Sequence, residues 1–455
     1  MNQTTAKYFL YSLVLILVFE GLLRKLISPA IGNIIFFLKD MFCIFALVSL
    51  GYQSFNTDFL KLTYWWKKLL LLFIPLFLIN FTFSPVLIVW GGKLYLLYLI
   101  SALIMLKAFT SIQSSYNEYR NFILFLVFLL VPTGFIAILQ NQLPPSHWLN
   151  LAVGGGLLDN FSAAGKLRVS STFSFTGQYS WFLNFISSCY FSATFLPNSS
   201  NKKKWYWDNQ YAKGIFLIIL IISNYITGGR TSVLGFLGVL IIGIGLTGIK
   251  NLNYTLMKWK TTVIILFLGM SILPTLFPDY FAAYMQRSQG YNRQSHVQEI
   301  TNRVLAPFEN AEILMSNKNF VQTLFGNGLG VMTNGADKVS PYAQTFRTNI
   351  WTENDFTTVL WEGGIYLFFI WYGFRLFMIY QCFIAWCRMK DQAFSGAAAF
   401  LLAYIIIVGL IGTLSLQPPI SIWWWLAIGS LFSLKHYDQM LSNYAENLIV
   451  KLSAK

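Results

Sequence analysis

The sequence predicts an all-α, polytopic membrane protein with about twelve transmembrane helices and one long loop outside the membrane, and three observations lead there. Hydrophobic residues make up 56% of the 455 positions and charged residues only 11%, against roughly 25% in soluble domains, and the mean hydropathy is +0.57. Apolar runs close to the ~20 residues needed to cross a bilayer recur from end to end. The basic residues cluster between those runs, so the net charge of +15 reads as membrane topology and not as a nucleic-acid surface. An ordinary soluble enzyme is excluded.

In chain order, spans are expected near 8–23, 33–51, 69–84, 86–106, 121–140, 177–196, 213–227, 232–249, 261–277, 356–380, 396–414 and 421–435. The first carries Glu20 and is followed by Arg24 and Lys25 rather than a small-residue cleavage site, which predicts an uncleaved helix. Residues 1–277 thus hold nine helices, 278–355 form a lid, 356–435 hold three more helices and 436–455 form a tail, all one integral membrane domain. With the N-terminus inside, the cytoplasmic loops collect Lys7, Lys61, Lys67, Lys68, Lys202 to Lys204, Lys250, Arg375, Arg388, Lys390 and others. About 19 basic residues then face about 6 in the short outside loops, the bias the positive-inside rule requires. Both termini are expected in the cytoplasm and the lid outside. Trp65-Trp66, Trp205 to Trp207 and Trp423 to Trp425 fall at the expected span ends and read as interface anchors.

Charges inside a membrane are costly and are functional hypotheses by default. Glu20 and Arg24, four apart with the acid first, read as a helical ion pair. Lys39 and Asp40 are adjacent and cannot pair with each other, so each needs a partner elsewhere or a wet cavity. Arg230 stands in NYITGGRTS, a short polar turn between two apolar runs, where a guanidinium and the N-terminus of the next helix would both favour an anionic headgroup. An arginine that merely snorkels to the interface is the alternative. Arg168, Arg287, Arg293 and Arg303 add outside cations, and the lid carries Asp279, Glu299, Glu309, Glu312, Asp337, Glu353 and Asp355. Glu353, Asn354 and Glu362 lie in TENDFTTVLWEGG, where the lid re-enters the membrane and a carboxylate at a desolvated boundary suits general-base work. The Gly-rich run FGNGLG lacks the strand and spacing of a nucleotide loop and reads as a turn in the lid. Cys43, Cys189, Cys382 and Cys387 form no CxxC pair and no metal-ligand spacing with the three histidines, so neither a disulfide framework nor a structural zinc is expected.

Four segments resemble the O-antigen polymerase and ligase family of bacterial surface-polysaccharide assembly. They are RVSSTFSFTGQ, TGGRTSVLGFLGVLI, the lid segment from Arg303 to LFGNGLG, and ENDFTTVLWEGG, in which Asn354, Leu360, Glu362 and Gly364 match. Glu353 stands where ligases carry their catalytic histidine, and Thr357 where Leu is usual, which points to a polymerase-like member. The resemblance implies a GT-C-like fold at the bacterial inner membrane and a polyprenyl-diphosphate-linked oligosaccharide as donor, used with no cofactor and no metal. It implies Glu353, Asn354 and Arg303 as catalytic residues, and Arg230, Arg168, Gln178 and Glu362 as contacts to diphosphate or glycan. Membrane lipid, a chain-length regulator and a flippase are the expected partners, and no nucleic acid. Two other readings stay open: ligation of glycan to a lipid or protein acceptor, and transport of polysaccharide or lipid.

Overall fold

The computed structural model describes residues 1–50, 57–110, 116–156, 158, 162–163, 165–197, 207, 209–288, 319–333, 335–347 and 354–453, with isolated residues between 301 and 316. The described residues are mostly helical. In order, the helices are α1 (Gln3–Leu26), α2 (Pro29–Leu50), α3 (Thr57–Phe81), α4 (Pro85–Gly92), α5 (Ile100–Phe109), α6 (Tyr116–Phe128), α7 (Leu130–Gln142), α8 (Thr176–Phe195), α9 (Gln210–Ile226), α10 (Arg230–Lys250) and α11 (Leu252–Leu276). Four short ones follow, α12 (Pro278–Ser288), α13 (Phe320–Phe325), α14 (Ala336–Val339) and α15 (Pro341–Arg347), then α16 (Asp355–Cys387), α17 (Gln392–Ile411) and α18 (Pro418–Ser453). A two-residue hairpin pairs β1 (Ser162–Ala163) with β2 (Lys166–Leu167).

Among the described residues, eight helical stretches are long and apolar enough to cross a membrane, as in an all-α multi-pass membrane protein. A π turn at Lys93–Leu97 joins α4 and α5 into one of them. Helix α3 begins twelve residues before the apolar run expected at 69–84, because Lys61, Lys67 and Lys68 are good helix formers that stay exposed on its surface. Helices α8 and α17 run through the middle of the bundle. Their small residues admit close packing: Gly396 faces the Phe195 ring and Gly243 of α10 faces Phe400. Some buried polar residues of α8 are satisfied locally, as where Ser187 donates to Leu183 O at 2.6 Å and Ser188 to Phe185 O at 2.7 Å, whereas the Tyr179 and Ser192 hydroxyls are buried without a hydrogen-bond partner.

Contacts between helix ends sort them into two sets. At one end Lys7 pairs with Glu118 at 2.6 Å, Asp58 with Lys435 at 2.7 Å, and Lys250 donates to Trp386 O at 2.7 Å. At the other, Lys25 of α1 reaches Leu149 O at 2.8 Å beyond α7. The mid-helix charges find partners between helices. Glu20 takes both Arg24 at 3.2 Å and Lys39 at 3.0 Å, and Asp40 takes Lys93 at 2.7 Å and the Tyr98 hydroxyl at 2.6 Å.

The segment expected as a single span at 356–380 is two helices. Gly363 and Gly364 leave helical geometry, Gly364 with φ +63°. A straight helix would hold Asp355 and Arg375 about 30 Å apart, yet Arg375 Nη1 forms an ion pair with Asp355 Oδ2. The short limb 355–362 therefore folds back along the long limb 365–387, and Phe356 stacks on Tyr372 at 4.2 Å between ring centroids. A Cβ at Gly364 would sit 2.5 Å from Leu324 O, so the left-handed turn is also where α13 presses on the hairpin.

Three sequence expectations are corrected. Arg375 is no cytoplasmic loop charge. It is fully buried and donates to Val408 O, Gly409 O and Gly412 O, closing the C-terminal end of α17 where a cation is favoured. Asp355, its partner, is no solvated lid carboxylate. Trp207 and Trp423 to Trp425 are buried core residues and not interface anchors. Trp423 packs on Phe182 and Phe185, and Trp424 Nε1 donates to Ile405 O at 3.0 Å. Trp65 and Trp66 lie mid-helix in α3, half-buried. Trp205 and Lys202 to Lys204 lie outside the described residues.

Arg375→Met strands Asp355 as an unpaired buried charge and is expected to cost about 3–5 kcal/mol, whereas adding Asp355→Leu restores much of it. Thermal unfolding in detergent checks this. A wild-type midpoint for the single variant would show that the pair does not hold the hairpin.

Candidate functional site

The four segments that carry the family resemblance dock in two pairs. The first pair is the FGNGLG run and the short limb of α16. The last carbonyls of that limb, left without helical partners by the turn, accept from the run: Asn327 N and Nδ2 both donate to Trp361 O at 2.9 Å, and Gly328 N donates to Glu362 O at 3.1 Å. Asn80 of α3 accepts from Leu329 N at 3.1 Å. Gly330 adopts φ +81° and passes so close to Gly91 of α4 that a Cβ on Gly91 would lie 2.3 Å from its nitrogen. The Glu362 carboxylate is fully enclosed and accepts from Tyr95 at 2.7 Å, Met332 N at 3.1 Å and Thr333 at 3.2 Å. Glu362 thus holds the 326–333 segment in place and is closed off by it.

The second pair is RVSSTFSFTGQ and TGGRTS. The first makes a tight turn, with Phe173 N donating to Ser170 O at 3.0 Å, Val169 to Phe173 buried and Ser171 at φ 51°. Ser171 N donates to Gln140 Oε1 at 2.7 Å, Ser171 Oγ to Thr133 O at 2.7 Å, and Lys25 reaches Ser170 at 3.2 Å. The segment then opens α8, whose N-terminus after Phe175 has no side-chain cap. Helix α10 opens at Arg230 after Gly229, again with no side-chain cap. These two starts touch: a Cβ at Gly229 would lie 3.2 Å from Ser180 Oγ, and Asn184 donates to Thr231 O at 3.2 Å. Gln178 N and Ser232 N close back on Phe175 O and Gly229 O at 3.1 and 3.2 Å, but neither start is capped by a side chain; helix N-termini and their dipoles favour an anion, and the half-buried Arg230 stands at the same place.

A polar path joins the two pairs. Asp355 accepts from Ser415 N at 2.9 Å, two residues before Gln417, whose Nε2 would lie 3.6 Å from a Cβ at Gly177 in the first turn of α8. Asn354 sits at the head of the path as the N-cap of α16, accepting from Phe356 N at 2.9 Å. Arg168 and Gln178 are half-buried at either end of the RVSSTFSFTGQ segment. Glu353 and Arg303 lie outside the described residues. Among the described residues, no group of three or more His, Cys, Asp or Glu gathers as a metal site. Sequence reasoning missed Gln140, Ser415 and Gln417 as parts of this site, and Arg375 as its support. A polar residue beside a Gly or Pro break, as in IGTLSLQPP, is the only local signal they carry.

No protein-family model matches the chain, and no curated protein matches it.

Gly91→Val is expected to push the 326–333 segment off α4, with an overpacking cost of about 1–3 kcal/mol. Labelling of Leu329→Cys, in a Cys387→Ser background, reads this with a membrane-impermeant maleimide. The buried Leu329 site should react slowly in the parent and much faster with Gly91→Val. Equal rates would mean that the segment is not seated at Gly91.

Proposed function

We propose that the protein is a glycosyltransferase that joins polyprenyl-diphosphate-linked oligosaccharide units into a surface or exopolysaccharide. It works at the outer face of a bacterial plasma membrane, with twelve crossings, both termini in the cytoplasm and the 278–355 lid outside. The observation that carries the reading is the meeting of two helix N-termini without side-chain caps, α8 and α10, at Arg230. Such a place favours a diphosphate, and the departure of a lipid diphosphate is what the transfer must assist.

The acceptor hydroxyl oxygen attacks the anomeric carbon in line. The new glycosidic bond forms as the bond from that carbon to the phosphate oxygen breaks, and the lipid diphosphate leaves with the electron pair. Glu353 takes the hydroxyl proton, and Asn354 beside it orients the acceptor. Arg230, with Arg303 and Arg168, meets the charge that grows on the leaving group. The bond between Ser415 and Asp355 fixes the α16 limb that presents Asn354.

Arg230→Ala should lower polymer formation by about 10² or more while the protein still inserts and folds, as loss of one charge-stabilising group does elsewhere. The size profile of carrier-lipid-linked and surface glycans, with and without the gene, decides the reaction. Single units left on the carrier support polymerisation. Long polymer accumulating on the carrier would mean ligation instead, and substrate flux in proteoliposomes without a glycosidic product would mean transport.

A further inference from the structure

A cleft of about 350 Å³ opens beside the buried RVSSTFSFTGQ segment, apart from the α8–α10 anion site. Its lining is unusual for a membrane protein because it is built from carboxamides: Gln140, Asn141 and Gln142 at the end of α7, and Asn150 beyond it. Lys166 and Tyr280 close its sides. Asn150 is 3% exposed, and its Nδ2 donates to the carbonyls of Gln140, Leu143 and Pro144 at 3.0–3.1 Å, so its oxygen must be the free atom. The Oδ1 atoms of Asn150 and Asn141 are both buried without a hydrogen-bond partner. Buried acceptors are normally satisfied, so these two atoms stand behind the cleft wall with unmet hydrogen bonds and gain donors from outside the chain only as the carboxamides turn toward a ligand, while Gln142, exposed at the mouth, presents its carboxamide directly.

The charge of the lining narrows the ligand. Lys166 pairs with Asp279 at 3.1 Å, so the one ammonium among the described lining residues is balanced at the rim. Carboxamides offer donors and acceptors together without net charge, which matches hydroxyl groups and suits neither phosphate nor carboxylate. Pro144, Pro145 and the Tyr280 ring supply apolar surface for C–H faces. We propose that this cleft binds a neutral, hydroxyl-rich glycan. The inference rests on the transfer reading for its role, namely holding the growing chain beside the donor site. Gln140 at the cleft grips Ser171, only five residues from the first residue of α8 at Thr176, a separation of at most about 17 Å. A glycan in the cleft is therefore within a few sugar rings of the bound diphosphate.

The test uses the full chain in lipid nanodiscs on an array of neutral and uronate-bearing oligosaccharides. Asn150 ties three carbonyls and its loss would unfold the turn, so the variant is Asn141→Ala with Gln142→Ala, the latter exposed at the cleft mouth. The wild type should retain neutral oligosaccharides and the double variant at least about tenfold less. In cells the variant should shorten the modal polymer length while single-unit donor is still consumed. No retention by the wild type, preference for uronates, or retention unchanged in the variant would overturn the proposal. Neutral retention lost in the variant, combined with no glycan change on deleting the gene, would defeat the transfer reading alone and leave the cleft standing.

Discussion

An ionised side chain inside a bilayer must be paired or it costs several kcal/mol, and the architecture of this protein follows from how it meets that demand. The decisive pair is Asp355 with Arg375. Twenty residues separate them in one apolar helix, so they meet only because Gly363 and Gly364 turn the chain back on itself. Once turned, the hairpin carries further bonds. Arg375 closes the end of α17, Asp355 accepts from Ser415 in the loop that leads to α18, and Tyr372 donates to Asp355 at 3.1 Å. One ion pair thereby fixes the relative placement of three helices and sets Asn354 at the head of the short limb.

The same turn leaves carbonyls without helical partners, and the FGNGLG run meets them. The short limb ends after two turns with open carbonyls at Trp361 and Glu362, and the FGNGLG backbone supplies their donors. Seating that segment requires the close passage at Gly91 and Gly330, where any side chain on α4 would collide with the lid backbone. The 326–333 segment and the hairpin are consequently one unit. Glu362 locks them to Tyr95 in the π turn that also carries Lys93, the partner of Asp40, so the charge network of α1, α2 and that turn is joined through Tyr95 to the site.

Much of this was legible in the sequence, and the rest was not for definable reasons. The run of apolar segments located the helices, since lipid selects for length and hydropathy and both are local. The Glu20–Arg24 pair was legible because its spacing is a property of one helix. The partners of Lys39 and Asp40 were not, because they come from α1 and from the α4–α5 stretch, and pairing between helices leaves no periodic signature. Lys39–Asp40 and the Trp90 to Lys93 stretch each look out of place in an apolar run, and the structure shows Asp40 and Lys93 answering each other. The hairpin was hidden by hydropathy, which reads TTVLWEGGIYLFFIWYGF as continuous, although Gly363-Gly364 marks the turn. The tryptophans of α18 were misplaced because aromatic residues near a span end suit an interface and a packed core equally well. The site segments were recognised as motifs. That they pair, lid run with hairpin and RVSSTFSFTGQ with TGGRTS, depends on contacts between distant parts of the chain and came only from the structure.

The hairpin of α16 is the central element, and a cysteine pair tests it directly. Phe356→Cys with Tyr372→Cys, in a Cys387→Ser background, places two thiols where the native rings are 4.2 Å apart. In a straight helix the same positions would be about 24 Å apart. Rapid disulfide formation in membranes under mild oxidant, resolved by proteolysis between the two sites, is the result the hairpin predicts. Absence of a cross-link, with both thiols present and reactive, would contradict it.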